Sequence, residues 1–120
     1  MDRAKKGIHL DLDTEALQRH YTKGDWHKAY YEVRNHFEKN GFEHIQGSGY
    51  HSLMPMSEAS AMAVIYQMTK KFPWINYCVS VCTISDVPET FYIAHVFVRE
   101  AERLDYTVTA AVQDIEQSFL

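Results

Sequence analysis

The segment Gly7–Asp13 constrains the fold most, because its polar and apolar residues alternate without exception after the glycine. A period of two residues predicts a β-strand whose apolar side chains face a core. These apolar residues are Ile8, Leu10 and Leu12. The polar residues His9, Asp11 and Asp13 would project from the opposite face, about 6–7 Å from one to the next. The strand therefore predicts an imidazole and two carboxylates displayed together on a sheet surface.

The length and composition of the chain predict one domain with one core. It has 120 residues, of which 46% are hydrophobic and 13% aromatic, enough for one compact domain and too few for two. No apolar run approaches the roughly 20 residues of a membrane-spanning helix, and the first six residues lead into no secretory apolar region. We therefore expect a cytoplasmic protein with no membrane partner.

The charge and the cysteines narrow the function classes. A formal charge of −4 gives no general attraction for nucleic acid, although a site that engages a few phosphates is still allowed.

Cys78 and Cys82 lie four residues apart in a predicted strand, which separates them by about 13 Å. A disulfide needs Cα atoms closer than about 7 Å, so we expect buried free thiols. Their count and spacing match no zinc motif.

Alternating strand and helix signals continue to about residue 86. The order predicts an α+β, ferredoxin-like split βαβ (βαββαβ) sandwich with both helices on one sheet face and the other face bare. The predicted elements are a strand over Gly7–Asp13, a turn capped by Asp13 or Thr14 that runs to about Leu17, a helix from Asp25 to Asn40, one or two strands within 42–53, a helix from Ser57 to Phe72, and a strand over Tyr77–Ser85.

The apolar spacing after Pro88 predicts two further helices, over Phe91–Leu104 and Val108–Phe119. They would cover the bare sheet face or extend to a second copy of the chain, and periodicity does not choose between these. The resulting organisation is a flexible leader over 1–6, a domain over 7–89 and a C-terminal extension over 90–120.

Asp11 is the first candidate for chemistry, since it lies near the carboxyl end of the first strand. A carboxylate there could accept a proton or bind a divalent cation, or instead cap the following turn. For Asp13 the capping role is favoured. An imidazole suited to proton transfer near neutral pH could come from His9, His44 or His51, although each also suits a surface position.

The segment Gln46-Gly47-Ser48-Gly49-Tyr50 is the second candidate. Read as a strand, it puts an amide, a hydroxyl and a phenol on one face, and its glycines leave backbone amides accessible. Such a surface can hold a phosphate or a base edge, or it can be a polar face that pairs in a dimer. Ser48 lacks a G-x-S-x-G elbow, which argues against a hydrolase nucleophile.

Three stretches in this order resemble the virulence-associated protein D (VapD) family, which is related to the small CRISPR-associated ribonuclease-like proteins. They are Leu10-Asp11-Leu12, then Gly41-Phe42 followed by Gln46-Gly47-Ser48-Gly49-Tyr50, and Leu53 through Phe72-Pro73-Trp74 to Val79, which together cover about residues 7–86. The resemblance implies a ferredoxin-like homodimer with endoribonuclease activity, in many members the toxin of a toxin–antitoxin pair. The family's catalytic acid falls on Asp11 and its serine on Ser48, and the two Asp11 residues would approach across the two-fold axis.

The implied chemistry is RNA cleavage at Asp11. This carboxylate would activate water through a divalent cation such as Mg²⁺, or the ribose 2′-hydroxyl directly, while Ser48 and nearby amides steady the phosphate. Without a metal, His9 or His44 would supply the second proton transfer. The alternatives are a non-catalytic dimer that binds a protein partner, such as an antitoxin, and weak nucleic-acid binding without cleavage.

Overall fold

Four strands and four α-helices make up the described part of the chain. The computed structural model describes residues 4–118, with side-chain surroundings over residues 4–108. Contacts divide the chain into two compact units, Met1–Pro88 and Glu89–Leu120. The elements are β1 (Lys6–Leu12), α1 (Thr14–His20), α2 (Lys28–Lys39), β2 (Phe42–Gln46), β3 (Gly49–Ser52), α3 (Glu58–Lys71), a 3₁₀ helix (Pro73–Tyr77), β4 (Val79–Asp86) and α4 (Ala94–Ser118).

The strands of the first unit form an antiparallel sheet in the order β2-β3-β1-β4. Strand β1 is central, since His9 lies opposite Gly49 of β3 on one side and opposite Thr83 of β4 on the other. Helices connect β1 to β2 and β3 to β4. The α+β prediction is confirmed, and the strand order is compatible with the ferredoxin-like arrangement.

The alternation in β1 has the predicted effect on burial. Ile8 and Leu10 are buried, whereas His9 is exposed on the other face of the sheet. The buried face contacts α2 and α3 through one hydrophobic cluster, in which the ring of Phe37 stacks on Tyr50 with centroids 4.2 Å apart. Because burial of apolar surface is the main favourable term in folding, this cluster fixes which face of β1 remains open.

The segment over 42–53 forms two strands, and its polar residues do not share one strand face as predicted. Gly47 and Ser48 form the turn between β2 and β3, and Gly47 has a φ of +51°, a left-handed value that favours glycine. The pairing is irregular between His44 and Gln46. Tyr50 therefore faces the core, so the prediction of one strand face shared by the amide, the hydroxyl and the phenol is wrong.

The helix starts differ from the predictions for local reasons. Asp13 caps α1 as expected, by accepting a hydrogen bond from the Glu15 amide, but α1 continues past Leu17 to His20. Asp25 does not cap α2 directly. Its carboxylate accepts from the His27 amide and its carbonyl accepts from the Lys28 amide, which forms a turn before the helix. Helix α2 therefore begins at Lys28.

Strand β4 begins at Val79, two residues later than predicted, because a 3₁₀ helix precedes it. Pro73 occupies the first turn of the 3₁₀ helix, a position that suits its missing N–H, and the helix extends to Tyr77. Cys78 consequently precedes β4 and is buried, whereas Cys82 lies on the edge strand and is exposed. Both thiols are free, as predicted. The prediction that both are buried strand residues is wrong in two respects, since Cys82 is exposed and Cys78 lies before the strand.

The C-terminal unit contains one helix where two were predicted. Helix α4 runs without interruption from Ala94 to Ser118, because the sequence between the predicted pair holds neither glycine nor proline. The predicted end at Phe119 lies outside the described residues. Over the described range, no helix is both long and apolar enough to cross a membrane.

Gly41 gives a test of the backbone at the end of α2. It has a φ of +84°, and a β-carbon there would meet nothing within 4 Å, so only backbone strain opposes a side chain. We expect Gly41→Ala to lower the free energy of unfolding by about 1 kcal/mol, and Gly41→Asn by less, since asparagine tolerates this region better. Urea denaturation measures both, and a stabilised Gly41→Ala variant would contradict the assignment.

Candidate active site at the end of β1

The carboxyl end of β1 extends beyond its neighbour β3. Pairing with β3 covers only Gly7 to His9, whereas β1 continues to Leu12. The turn between β2 and β3 lies beside this free stretch, where the Leu10 amide donates to the Ser48 carbonyl at 3.0 Å. This backbone bond fixes Ser48 next to the residue that follows Leu10, which is Asp11.

The Asp11 carboxylate has two side-chain partners and remains open to solvent. Oδ1 accepts a hydrogen bond from the Ser48 hydroxyl, and Oδ2 lies 2.9 Å from Nε2 of His9. The Asp11 side chain is 40% exposed. The Ser48 hydrogen bond has the largest effect and lowers the pKa of Asp11. Burial opposes it, and the hydrogen bond and charge of His9 lower the pKa further, so the net shift is downward. The result is an ionised carboxylate that a ligand can reach.

Asp13 has a different role, because its carboxylate caps α1. Its amide also donates to the Cys78 carbonyl at 2.7 Å, which ties the end of β1 to the start of β4. The capping role thus falls to Asp13 and leaves the carboxylate of Asp11 free of any cap.

A bulge in β4 lies directly beside Asp11. Asp11 is opposite Val81 and Leu12 is opposite Val79, so Ser80 is the extra residue. The Ser80 hydroxyl donates to the Asp11 carbonyl at 3.2 Å. Bulges are common next to active sites, where they redirect a side chain. Nothing in the sequence pattern signals this bulge.

The sheet face that carries Asp11 is open. His9 is exposed, and Val81 and Thr83 of β4 share its face and are also exposed. His51 of β3 lies on the same face, since a β-carbon on Gly7 would be 3.4 Å from its Cδ2. Within residues 4–88, therefore, the polar groups around Asp11 are accessible from one side of the sheet.

A cavity of about 240 Å³ lies on the helical side of the same strand end. Tyr30 of α2 and Ser48 of the turn are two of its lining residues. Ser48 thus belongs both to the cavity and to the hydrogen bond with Asp11. The remaining lining residues are Leu10, Leu12, Val33, Gly47 and Tyr50. Sequence reasoning missed Tyr30, because its spacing in α2 also fits a core stripe.

The other predicted site residues lie around the turn. His44 does not bond Asp11; its Nε2 is 2.8 Å from the Gly47 carbonyl, and its ring is tilted against Tyr50. Gln46 is exposed at the end of β2, and Tyr50 is only 5% exposed. The structure therefore brings His9, Asp11 and Ser48 together, while His44 supports the turn.

Asp11 is also the predicted metal ligand. Over residues 4–108, no three histidine, cysteine or acidic side chains lie close enough together to hold a metal ion. A hard cation such as Mg²⁺ accepts one or two carboxylates together with water and phosphate oxygens. The donor set of one chain at Asp11 therefore fits a magnesium ion only with further ligands from water, a bound phosphate or a second copy.

Comparison with known proteins gives one informative match. No family model matches the chain. A curated relative, Endoribonuclease VapD 2 from Riemerella anatipestifer, is 32% identical over 72 residues, which is 60% of this chain and 77% of the relative. Identity at this level over three quarters of the relative agrees with the resemblance to the VapD family that the sequence shows. The chain therefore belongs to the VapD family.

Proposed function

We propose that this protein is an endoribonuclease that cleaves RNA at Asp11. The observation that carries the proposal is an ionised, solvent-accessible carboxylate held between a hydroxyl and an imidazole. The name of the relative from Riemerella anatipestifer, an endoribonuclease, supports the same activity. A carboxylate and an imidazole in contact can serve as a base and an acid in one reaction.

The proposed reaction uses the ribose 2′-hydroxyl as nucleophile. The Asp11 carboxylate takes the 2′-hydroxyl proton, the 2′-oxygen bonds to the adjacent phosphorus, and the bond from phosphorus to the 5′-oxygen breaks. The imidazolium form of His9 gives its proton to the leaving 5′-oxygen. The products are a 2′,3′-cyclic phosphate and a 5′-hydroxyl. Direct transfer over the 2.9 Å between Asp11 and His9 then returns the proton to the imidazole.

Ser48 has two tasks in this proposal. Its hydroxyl donates to Asp11 and keeps the carboxylate ionised before the reaction. Once Asp11 has taken the 2′ proton, its affinity for the hydroxyl falls, and Ser48 can donate to the developing charge on the phosphate instead.

Magnesium is an optional participant. Asp11 would be its ligand from this chain, together with phosphate oxygens and water. The chemistry that it would supply is neutralisation of charge on the phosphate.

We also propose a homodimer that pairs the open sheet faces. Val81 is 43% exposed on that face and lies opposite Asp11 in the sheet. A two-fold contact there would bury this apolar residue against its own copy and bring the two Asp11 carboxylates near one another. Their repulsion would raise the proton affinity of one or recruit a cation.

The ferredoxin-like assignment and the biological role are parts of the same proposal. The strand order β2-β3-β1-β4 with two connecting helices supports the fold. Membership of the VapD family supports a role as the toxin of a toxin–antitoxin pair, with an antitoxin protein as a partner.

Asp11→Asn tests the assignment of the base. We expect cleavage of single-stranded RNA to slow by at least about 100-fold, because a positioned general base typically contributes that much or more. Asp13→Asn is the matched control, since asparagine caps a helix as well as aspartate does and the variant loses the same charge. It should cleave at the rate of the parent, measured with a fluorescent RNA on identically purified proteins.

Two outcomes would contradict the proposal. If Asp11→Asn cleaves as fast as the parent, Asp11 is not the base. If highly purified parent protein cleaves no RNA with or without Mg²⁺, the endoribonuclease proposal fails and the non-catalytic interaction module takes its place.

Val81→Glu tests the dimer. It adds a charge beside Asp11 on the face proposed to pair, so we expect a dimeric parent and a monomeric variant in analytical ultracentrifugation. Tyr66→Glu, on the exposed face of α3, should remain dimeric. A monomeric parent, or a dimeric Val81→Glu variant, would rule out pairing through this face.

A further inference from the structure

We propose that the cavity beside Ser48 binds a nucleobase and that Tyr30 is the ring on which the base stacks. The inference deepens the proposed function and rests on it for the identity of the ligand as RNA. In this proposal the base of a nucleotide binds on the helical side of β1, while the phosphate of the same nucleotide lies at Asp11.

The size and composition of the cavity suit a base. Its volume of about 240 Å³ has room for a single heterocyclic base. Leu12 and Val33 are apolar lining residues, and Gly47 and Ser48, which carry polar groups, line the same cavity. A nucleobase has two apolar faces and a polar rim, and bases in single strands are recognised by stacking on aromatic rings together with contacts to that rim.

Tyr30 is the aromatic side chain of the cavity that a ligand can reach. It is 42% exposed, whereas the other tyrosine of the lining, Tyr50, is buried and already stacks on Phe37. A half-exposed aromatic ring at the mouth of a pocket can accept a second ring without disturbing the core. The core packing of Tyr50 therefore leaves Tyr30 as the stacking surface.

The charges around the cavity favour a base over a phosphate. None of its lining residues is cationic, and burial together with the charges of Asp11 and Asp13 raises the pKa of the Tyr30 phenol. The phenol is therefore neutral near acidic groups. An anion placed in the cavity would meet these groups with no compensating cation, whereas a neutral base would not.

The position of Ser48 links the base to the reaction. Ser48 lines the cavity, and its hydroxyl bonds the Asp11 carboxylate. A base held in the cavity would therefore place its own ribose and phosphate next to Asp11. Binding of the base would select which phosphodiester bond is cleaved. An acidic protein has no general electrostatic attraction for RNA, so it needs a local contact of this kind to position the chain.

Mononucleotide binding tests this pocket without any cleavage. The full chain is titrated with each of the four ribonucleoside 5′-monophosphates and with ribose 5-phosphate, and the backbone amide signals are followed by NMR. We expect at least one nucleotide to shift the amides of Leu12, Val33 and Gly47 saturably. Ribose 5-phosphate should bind at least about tenfold more weakly, because stacking on an aromatic ring contributes that much or more.

Variants of two adjacent tyrosines give the control. Tyr30→Leu keeps an apolar side chain but removes the ring, so nucleotide binding should weaken about tenfold, and Tyr30→Phe should restore it. Tyr31→Leu changes the next residue of α2, which is 71% exposed and does not line the cavity. It should bind as the parent does.

Several outcomes would overturn the inference. Equal affinity for ribose 5-phosphate would make the site a phosphate site, and unchanged binding by Tyr30→Leu would remove the stacking role. Absence of any shift at millimolar nucleotide would exclude the pocket. These results are independent of the Asp11→Asn assay: nucleotide binding with no effect of Asp11→Asn on cleavage would refute only the catalytic assignment.

Discussion

The hydrogen bond from the Ser48 hydroxyl to the Asp11 carboxylate is the interaction on which the site depends. It joins the turn between β2 and β3 to the free end of the central strand, where pairing with β3 has already ended. Without it, the carboxylate would lie on an open sheet face with only His9 beside it. With it, the carboxylate is ionised, oriented and adjacent to a cavity.

The proposed site would also account for the action of an acidic protein on RNA. A net charge of −4 provides no broad electrostatic attraction, which supplies most non-specific binding to nucleic acid. Recognition must then come from a few local contacts. The proposed stacking on Tyr30 and the proposed hydrogen bond from Ser48 would be such contacts, and both residues line the cavity at one strand end. An enzyme of this kind would bind RNA weakly and select its cleavage point by a single nucleotide.

The fold was predictable wherever local pattern and tertiary burial agree. The two-residue alternation of β1 predicted which side chains face the core, and the Asp13 cap followed from residue type and position. Gly41 marked the end of α2 because its φ of +84° favours glycine. At these positions the local structure depends on a residue and its near neighbours in the chain, so it can be predicted from a single sequence.

The parts that escaped prediction depend on neighbours distant in sequence. Tyr50 seemed to share a polar strand face with Ser48, but Phe37 of α2 draws its ring into the core. The bulge at Ser80 follows from the pairing of β4 with β1, and the cavity beside Tyr30 is lined by residues of β1, α2, β3 and the turn before β3. These relations leave no periodic signal in the sequence, which explains why Tyr30 and Ser80 were not found as candidates. Asp11 and Ser48 were found because their residue types and positions could be recognised locally.

The most direct test of the account is the pKa of the Asp11 carboxyl, measured by carbon-13 NMR titration in the parent and in Ser48→Ala. Because the hydroxyl donates to the ionised form, we expect a pKa below the ordinary aspartate value in the parent and a clear rise towards that value in the variant. His9→Gln should also raise the pKa, since the hydrogen bond and the charge of the imidazole both lower it in the parent. An unshifted Asp11 in the parent, or a Ser48→Ala variant with the same pKa, would contradict the account.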